Sequence, residues 1–424
     1  MHQVRTENQQ GNRSRPARSL SRVSDDVATG APKLDIELNQ LRRHIRTLIT
    51  LDETEAPMLS CYVNRSSGLI GLLPPHLDQR VRAIRKALRG QDLTSFEVAL
   101  GRIQKYLGTE VRRLTRGIAV FARAGTRPFF LGLQFQVPLP NQLSLNTTPD
   151  IFNLVELKDT YDRYVVLIST EHWARILEVN LGAVTRELWS ERQELRERAG
   201  REWTHEHYQN HRQGRGEQFF REKIEILEKL MAGGGHTHLI LAGSPQMTAR
   251  LRDSLPRHLQ AKLVDVVNAS ANAPVADVVL ATLSSFINYE QQESLDAVAE
   301  LVSAVRRSGL ATAGTSATLE ALRRGQADVL VMAQAYEPGW AWSCADCGRA
   351  AATLAAPLRC PSCNSRAVQS ENIKELMVKL AERQSVEVEF VQASDALMDL
   401  GGVGCFLRYA TPEHDQPSTM PRTT

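Results

Sequence analysis

At 424 residues the chain can hold two or three domains with separate cores, and its 42% hydrophobic and 23% charged content is that of an ordinary globular protein. No apolar run approaches the roughly 18 residues that cross a bilayer, and the first 33 residues lack the apolar centre of a signal peptide, so the expected compartment is the cytoplasm, with no membrane partner. The net charge of +3 resides in that N-terminal stretch, where six basic face three acidic side chains; the rest carries 45 of each, which excludes nucleic-acid binding by bulk charge alone.

Residues 1–33, rich in Ser, Arg, Asn and Gln, read as a disordered basic tail, and 411–424 as a second disordered tail. Residues 34–150 read as an N-terminal α/β domain with strands at 58–63, 117–122 and 129–135 and two helices between the first two. The Pro-rich stretch at 137–140 marks its exit. Between residues 79 and 116 ten Lys or Arg face three acids, with Val81, Ile84 and Leu88 at the spacing of a buried helical stripe and Arg82, Arg85, Lys86 and Arg89 among them. Such a patch is either a solvated helix face or an RNA-phosphate contact, where each neutralised charge releases counterions.

Residues 151–272 read as a middle α/β domain. Strands are expected at 164–169, 174–179 and 238–242, and a helix near 247–254. The charged run from 185 to 215 is expected as exposed helix and loop. An amphipathic helix starts at Gln218, with Phe220, Ile224, Leu227 and Met231 on one face. No cluster of strand-borne acids suggests a two-metal nuclease. Residues 273–410 read as a C-terminal α/β domain. It runs from a long helix through 300–307 to helices at 315–324 and 373–383 and strands at 328–333, 386–391 and 405–409. The fold class is therefore α/β and α+β: three domains with mixed sheets, plus a zinc ribbon at 342–369 inserted in the third.

That ribbon rests on Cys344-Ala-Asp-Cys347 and Cys360-Pro-Ser-Cys363. Two residues between thiolates let each pair reach one tetrahedral ion, and four cysteines leave no open position, so the Zn2+ is expected to be structural. Cys61 and Cys405 stand alone in apolar strand-like runs and read as small buried hydrophobes.

Around residues 211–220, Arg212, Gly214, Arg215 and Gly216 precede Glu217 and Gln218. Glycines admit close backbone approach and arginines suit phosphate. The alternative is a Gly-rich turn with Glu217 favourably placed at a helix N-terminus. His205, His207 and His211, in so polar a segment, read as solvated rather than metal-bound.

Three stretches together resemble the archaeal and eukaryotic class 1 peptide chain release factors and Pelota, in a bacterial branch. Gly214-Arg-Gly-Glu-Gln218 resembles that family's Gly-Arg-Gly-Gly-Gln loop. Gly309-Leu-Ala-Thr-Ala-Gly314 with its following helix and strand resembles the third-domain core. Gly401-Gly402-Val-Gly404-Cys-Phe-Leu407-Arg408-Tyr409 resembles the closing strand. The resemblance covers about residues 160–410. It implies three domains, binding in the ribosomal A site against rRNA and peptidyl-tRNA, and partnership with a translational GTPase such as elongation factor Tu.

Two departures direct the functional expectation. The family's second glycine is Glu217 here, where a side chain restricts φ and a carboxylate must be desolvated among phosphates. The family's codon-reading Asn-Ile-Lys-Ser has no counterpart in the first domain; the sole Asn-Ile-Lys stands at Asn372, Ile373 and Lys374, after the ribbon. The leading expectation is an A-site-occupying factor that does not terminate translation, serving ribosome hibernation under stress. The other is a peptidyl-tRNA hydrolase for ribosome rescue, with Gln218 and Glu217 as its catalytic residues.

Overall fold

The structure is a computed structural model. It describes residues 37–52, 54, 56–65, 73–170, 173–191, 205–234, 236–270, 273–344, 346–347, 349–353, 359–365 and 368–409; both expected tails lie outside these.

The first unit comprises α1 (Leu38–Ile49), β1 (Met58–Asn64), α2 (Pro75–Ala87), α3 (Gly90–Thr109), β2 (Gly117–Arg123), β3 (Phe129–Phe135) and β4 (Gln142–Asn146), followed by α4 (Phe152–Thr160). Its four strands form an antiparallel sheet in the order β3-β2-β1-β4. Period-two alternation sends Leu59, Cys61, Ile118 and Val120 to one face, under α2 and α3. Met58, Tyr62, Ala119 and Phe121 go to the other face, towards α1 and α4. Gly132 on β3 leaves room for a ring: a Cβ there would lie 2.4 Å from Tyr106. The strand β4 replaces the exit loop expected after residue 140. It alternates poorly, but it hydrogen-bonds along β1, which needs a partner on that side.

The middle sheet has the order β7-β6-β5-β8-β9, built from β5 (Tyr164–Ser169), β6 (Trp173–Asn180), β7 (Ala183–Glu191), β8 (His238–Gly243) and β9 (Leu263–Asn268). β5, β6 and β7 run antiparallel, while β8 and β9 lie parallel to β5. One face carries α5 (His205–Gly234), α6 (Pro245–Ser254) and α7 (Arg257–Gln260), and the other carries the first half of α8 (Val275–Arg306). The expectation of exposed helix and loop from 185 is corrected here: through Glu191 the chain is the edge strand β7. An edge tolerates charge on its open side, and Arg175 and Glu187 pair across the ladder at 3.6 Å. Residues 192–204 lie outside the described set.

The third unit has the sheet order β10-β16-β11-β15, from β10 (Ala311–Ala313), β11 (Ala327–Ala333), β15 (Glu387–Val391) and β16 (Val403–Leu407). Helices α9 (Thr315–Arg323), α10 (Ile373–Arg383) and α11 (Asp395–Asp399) accompany it. Between β11 and α10 is inserted a small antiparallel sheet of β12 (Trp340–Cys344), β13 (Ala350–Thr353) and β14 (Val368–Asn372).

One continuous core joins the first and third units: α1 and α4 share it with α9, α10 and the third sheet. Two backbone N–H groups at the start of α4, Ile151 at 2.7 Å and Phe152 at 3.0 Å, donate to the buried Glu375 carboxyl on α10. The expected cut at 150/151 thus falls on a stretch bonded to residues more than two hundred positions away. Likewise α8, which starts just after the expected cut at 272/273, buries Val278 and Phe286 against the middle sheet and Val298 and Leu301 in the shared core.

Candidate functional site

The four cysteines of the inserted sheet converge. Cys344 ends β12, and its N–H donates to Arg349 O at 2.8 Å; the matching turn closes with Cys360 N–H to Ser365 O at 2.9 Å. Sγ atoms of Cys344 and Cys363 lie 3.5 Å apart, those of Cys347 and Cys360 3.6 Å apart, and all four within 4.8 Å of one another. A tetrahedral ion with Zn–S bonds of about 2.3 Å sets its sulfurs about 3.8 Å apart, so the donor set fits zinc in both chemistry and spacing. All four thiols are free of disulfides. The N–H groups of Cys363 and Ser362 hold the Cys360 thiol down to about 6, while hydrogen bonds among the crowded thiols raise Cys347 and Cys363. Trp342, buried beside Cys344, Cys360 and Val368, supplies the only large side chain of this small described core.

The segment at 211–220 departs from expectation. It was expected as a Gly-rich loop ending at a helix that begins at Gln218; the chain is helical without interruption from His205 to Gly234. The apolar stripe Phe220, Ile224, Leu227 and Met231 anchors the C-terminal half on the middle sheet. Once nucleated, a helix propagates cheaply through Arg, Gln and Glu, and two glycines cost it only about 1 kcal/mol each. The side chains of Arg212, Arg215 and Glu217 lie outside the described set, as does everything about Gly214 and Gly216 beyond their helical backbone. Gln218 is exposed, and its Nε2 donates to Glu222 Oε1 at 3.1 Å, one turn on.

On the first unit, Arg82, Arg85, Lys86 and Arg89 are all exposed on or just after α2, while Val81 and Ile84 are buried beneath them. They are not equivalent. Arg85 forks onto Glu97 of α3, Nε to Oε1 at 2.5 Å and the second nitrogen to Oε2 at 3.0 Å. The Asn372 to Lys374 stretch has a structural use: Asn372 Oδ1 caps α10, accepting from Lys374 N at 2.9 Å and Glu375 N at 3.4 Å. Cys61 and Cys405 are wholly buried, and burial pushes both thiols up to about 12.

Sequence reasoning missed two polar features of the middle unit. Lys223 is 1% exposed, and its Nζ donates to Ser169 Oγ at 2.7 Å while lying 3.9 Å from the Phe219 ring centre. At the other end of the sheet, His238 meets two glutamates of α8. The spacing of Glu290 and Glu293 is visible in sequence, but the histidine comes from a distant strand.

Residues 149–286, the middle sheet with α4 to the first half of α8, match the model of the bacterial archaeo-eukaryotic release factor family 10. That segment is therefore similar to the domain this family model describes. Among solved structures it is similar to an archaeal translation termination factor, aRF1, at 15% identity, covering 89% of this chain and 100% of that one with a TM-score of 0.25. It is also similar to Archaeoglobus fulgidus Pelota at 13% identity, covering 90% and 97%, TM-score 0.36. For S. cerevisiae Dom34, described as a translation termination-like factor interacting with Hbs1, the identity is 12%, the coverage 70% and 80%, and the TM-score 0.39. No curated protein matches the chain. Among the described residues no helix is long and apolar enough to cross a membrane.

Proposed function

We propose that this chain is a ribosome-binding translation factor that occupies the A site without hydrolysing peptidyl-tRNA, holding idle ribosomes under stress. The observation that carries the reading is the release-factor-type domain at 149–286, whose Gly214 to Gln218 stretch is helical and has Glu217 where the family's loop has glycine. Water-placing chemistry needs free backbone amides and an available glutamine. In a helix those amides are bonded internally, and Gln218 is paired with Glu222. A carboxylate at 217 would also be desolvated among rRNA phosphates. Exposed Arg82, Lys86 and Arg89 supply phosphate contacts on the first unit, with Arg212 and Arg215 on α5. In this reading the partners are the ribosome and a translational GTPase such as elongation factor Tu, and Zn2+ closes the four-cysteine site in a structural role.

A hydrolase is the second reading, and the two glycines favour it: they lower the cost of unwinding α5 at 214–216, which would free Gln218 to place a water and Glu217 to act as base. The test is release of labelled peptide from stalled and idle ribosomes, with co-sedimentation in parallel. Co-sedimentation without release is expected. Replacing Arg82, Lys86 and Arg89 by Gln should weaken binding and reduce its salt slope by about one per lost phosphate contact, with a smaller effect for Arg85→Gln because Glu97 already holds that charge. Release abolished by Gln218→Ala would establish the hydrolase instead, and absence of ribosome binding would overturn both.

A further inference from the structure

Where β8 begins, α8 crosses it, and three metal-ligating side chains meet. Glu290 and Glu293 are one turn apart on α8, between the half packed on the middle sheet and the half packed in the shared core. His238, the first residue of β8, sits edge-on to Phe286 and Tyr289, ring centres 5.4 and 5.6 Å away, which pins its imidazole between strand and helix. Its Nε2 lies 3.8 Å from Glu290 Oε1 and 3.9 Å from Glu293 Oε2. These distances are too long for hydrogen bonds. They are close to the separation of about 3.3–3.6 Å between ligand atoms bonded tetrahedrally to one ion at about 2.0–2.2 Å.

The surroundings orient each donor atom. Thr237 Oγ1 lies 3.0 Å from His238 Nδ1, leaving Nε2 as the inward nitrogen. Tyr289 Oη donates to Glu293 Oε1 at 2.7 Å, leaving Oε2 to face the histidine. Glu290 Oε1 is shielded from solvent and has no hydrogen-bond partner, an expensive state for a carboxylate oxygen unless a cation satisfies it. Asp162, between α4 and β5, adds negative charge that acts on both His238 and Glu290; Lys262 opposes it at His238, its Nζ donating to His236 O at 2.8 Å.

We propose that His238, Glu290 and Glu293 bind one divalent first-row transition-metal ion, of the Zn2+ or Mn2+ class, which clamps α8 to the middle sheet at the joint with the third unit. The imidazole selects such an ion over Mg2+ or Ca2+, and three protein ligands leave at least one position for water. The site shares no residue with the four cysteines.

The test is metal stoichiometry of the full-length chain dialysed against Zn2+ or Co2+. Two equivalents are expected in the unaltered chain: one with an intense sulfur-to-Co2+ band, and one with only weak nitrogen and oxygen bands. Glu290→Gln, Glu293→Gln and His238→Gln should each weaken the second equivalent by on the order of tenfold or more and leave the thiolate band intact, which also reports that the chain is folded. Asp296→Asn, on the same helix outside the trio, should change nothing. A single thiolate-bound equivalent in the unaltered chain, or a second one indifferent to all three substitutions, overturns the proposal. If a variant loses the thiolate band as well, X-ray absorption of the unaltered Zn2+ protein decides: a mixed nitrogen and oxygen shell beside the sulfur shell supports the site, and sulfur alone overturns it.

Discussion

Asp159, at the end of α4, is a partly buried acid. It accepts one hydrogen bond, from Phe390 N at 2.9 Å, and burial pushes its carboxyl well above the usual aspartate range, with Glu389 and Glu290 reinforcing the shift. A folded-state pKa above the unfolded one means that the native chain binds more protons over the interval between them. Stability from this residue is therefore greatest below the unfolded value of about 3.9 and declines as pH rises towards the elevated folded value. Denaturation midpoints measured from pH 4 upward should fall with pH, and Asp159→Asn should flatten that slope; an unchanged slope would mean that Asp159 is ionised at little cost. Lys223 shows the opposite solution for a buried charge: it is kept inside the middle domain by the Ser169 hydroxyl and the faces of Phe219 and Phe220.

At the level of elements, α5 carries the functional argument. Residues 214–216 are helical, and glycine there is a liability, because it gives up more backbone freedom on folding than alanine does. Gly214→Ala and Gly216→Ala should each stabilise the protein by about 0.5–1 kcal/mol and raise its helical circular dichroism. Loss of stability on both changes would show that the segment is a loop needing positive φ. The same substitutions stiffen the region that the hydrolase reading must unwind, so any release activity should decline as stability rises. Elsewhere the conformational freedom of glycine is used plainly: Gly402, at φ 78° between α11 and β16, already lies against the Tyr336 ring, 2.8 Å from where a Cβ would sit.

For the whole molecule, the decisive property is how unevenly the cores are sized. The shared core of the first and third units is large, and the middle sheet has a core on each face; among the described residues the four-cysteine insert has only Trp342, two cysteines and Val368. In the proposed reading, in which the four cysteines hold Zn2+, loss of that ion should therefore unfold the insert alone. Cys360→Ser, which spares the proposed site at His238, should raise hydrogen exchange across residues 340–372 while β5 and β8 remain protected. Protection lost everywhere at once would mean that the insert is part of the global cooperative unit, through β14 and the α10 start that follows it.

The sequence by itself determined those features whose chemistry is local. The buried runs of β5, β8 and β11 announce themselves by apolar composition, and the four-thiol cluster by two paired cysteines, because each signal lies within a few residues. It also exposed the substitution at Glu217, which needs no coordinates to be read. Tertiary structure decided what depends on distant partners. β4 and β7 are strands because neighbouring strands offer their backbone groups, not because they alternate well. The Gly214 to Gln218 stretch is helical because the apolar stripe beyond it is anchored on a sheet. His238 meets Glu290 and Glu293 only because α8 crosses the start of β8, a contact that no local pattern encodes.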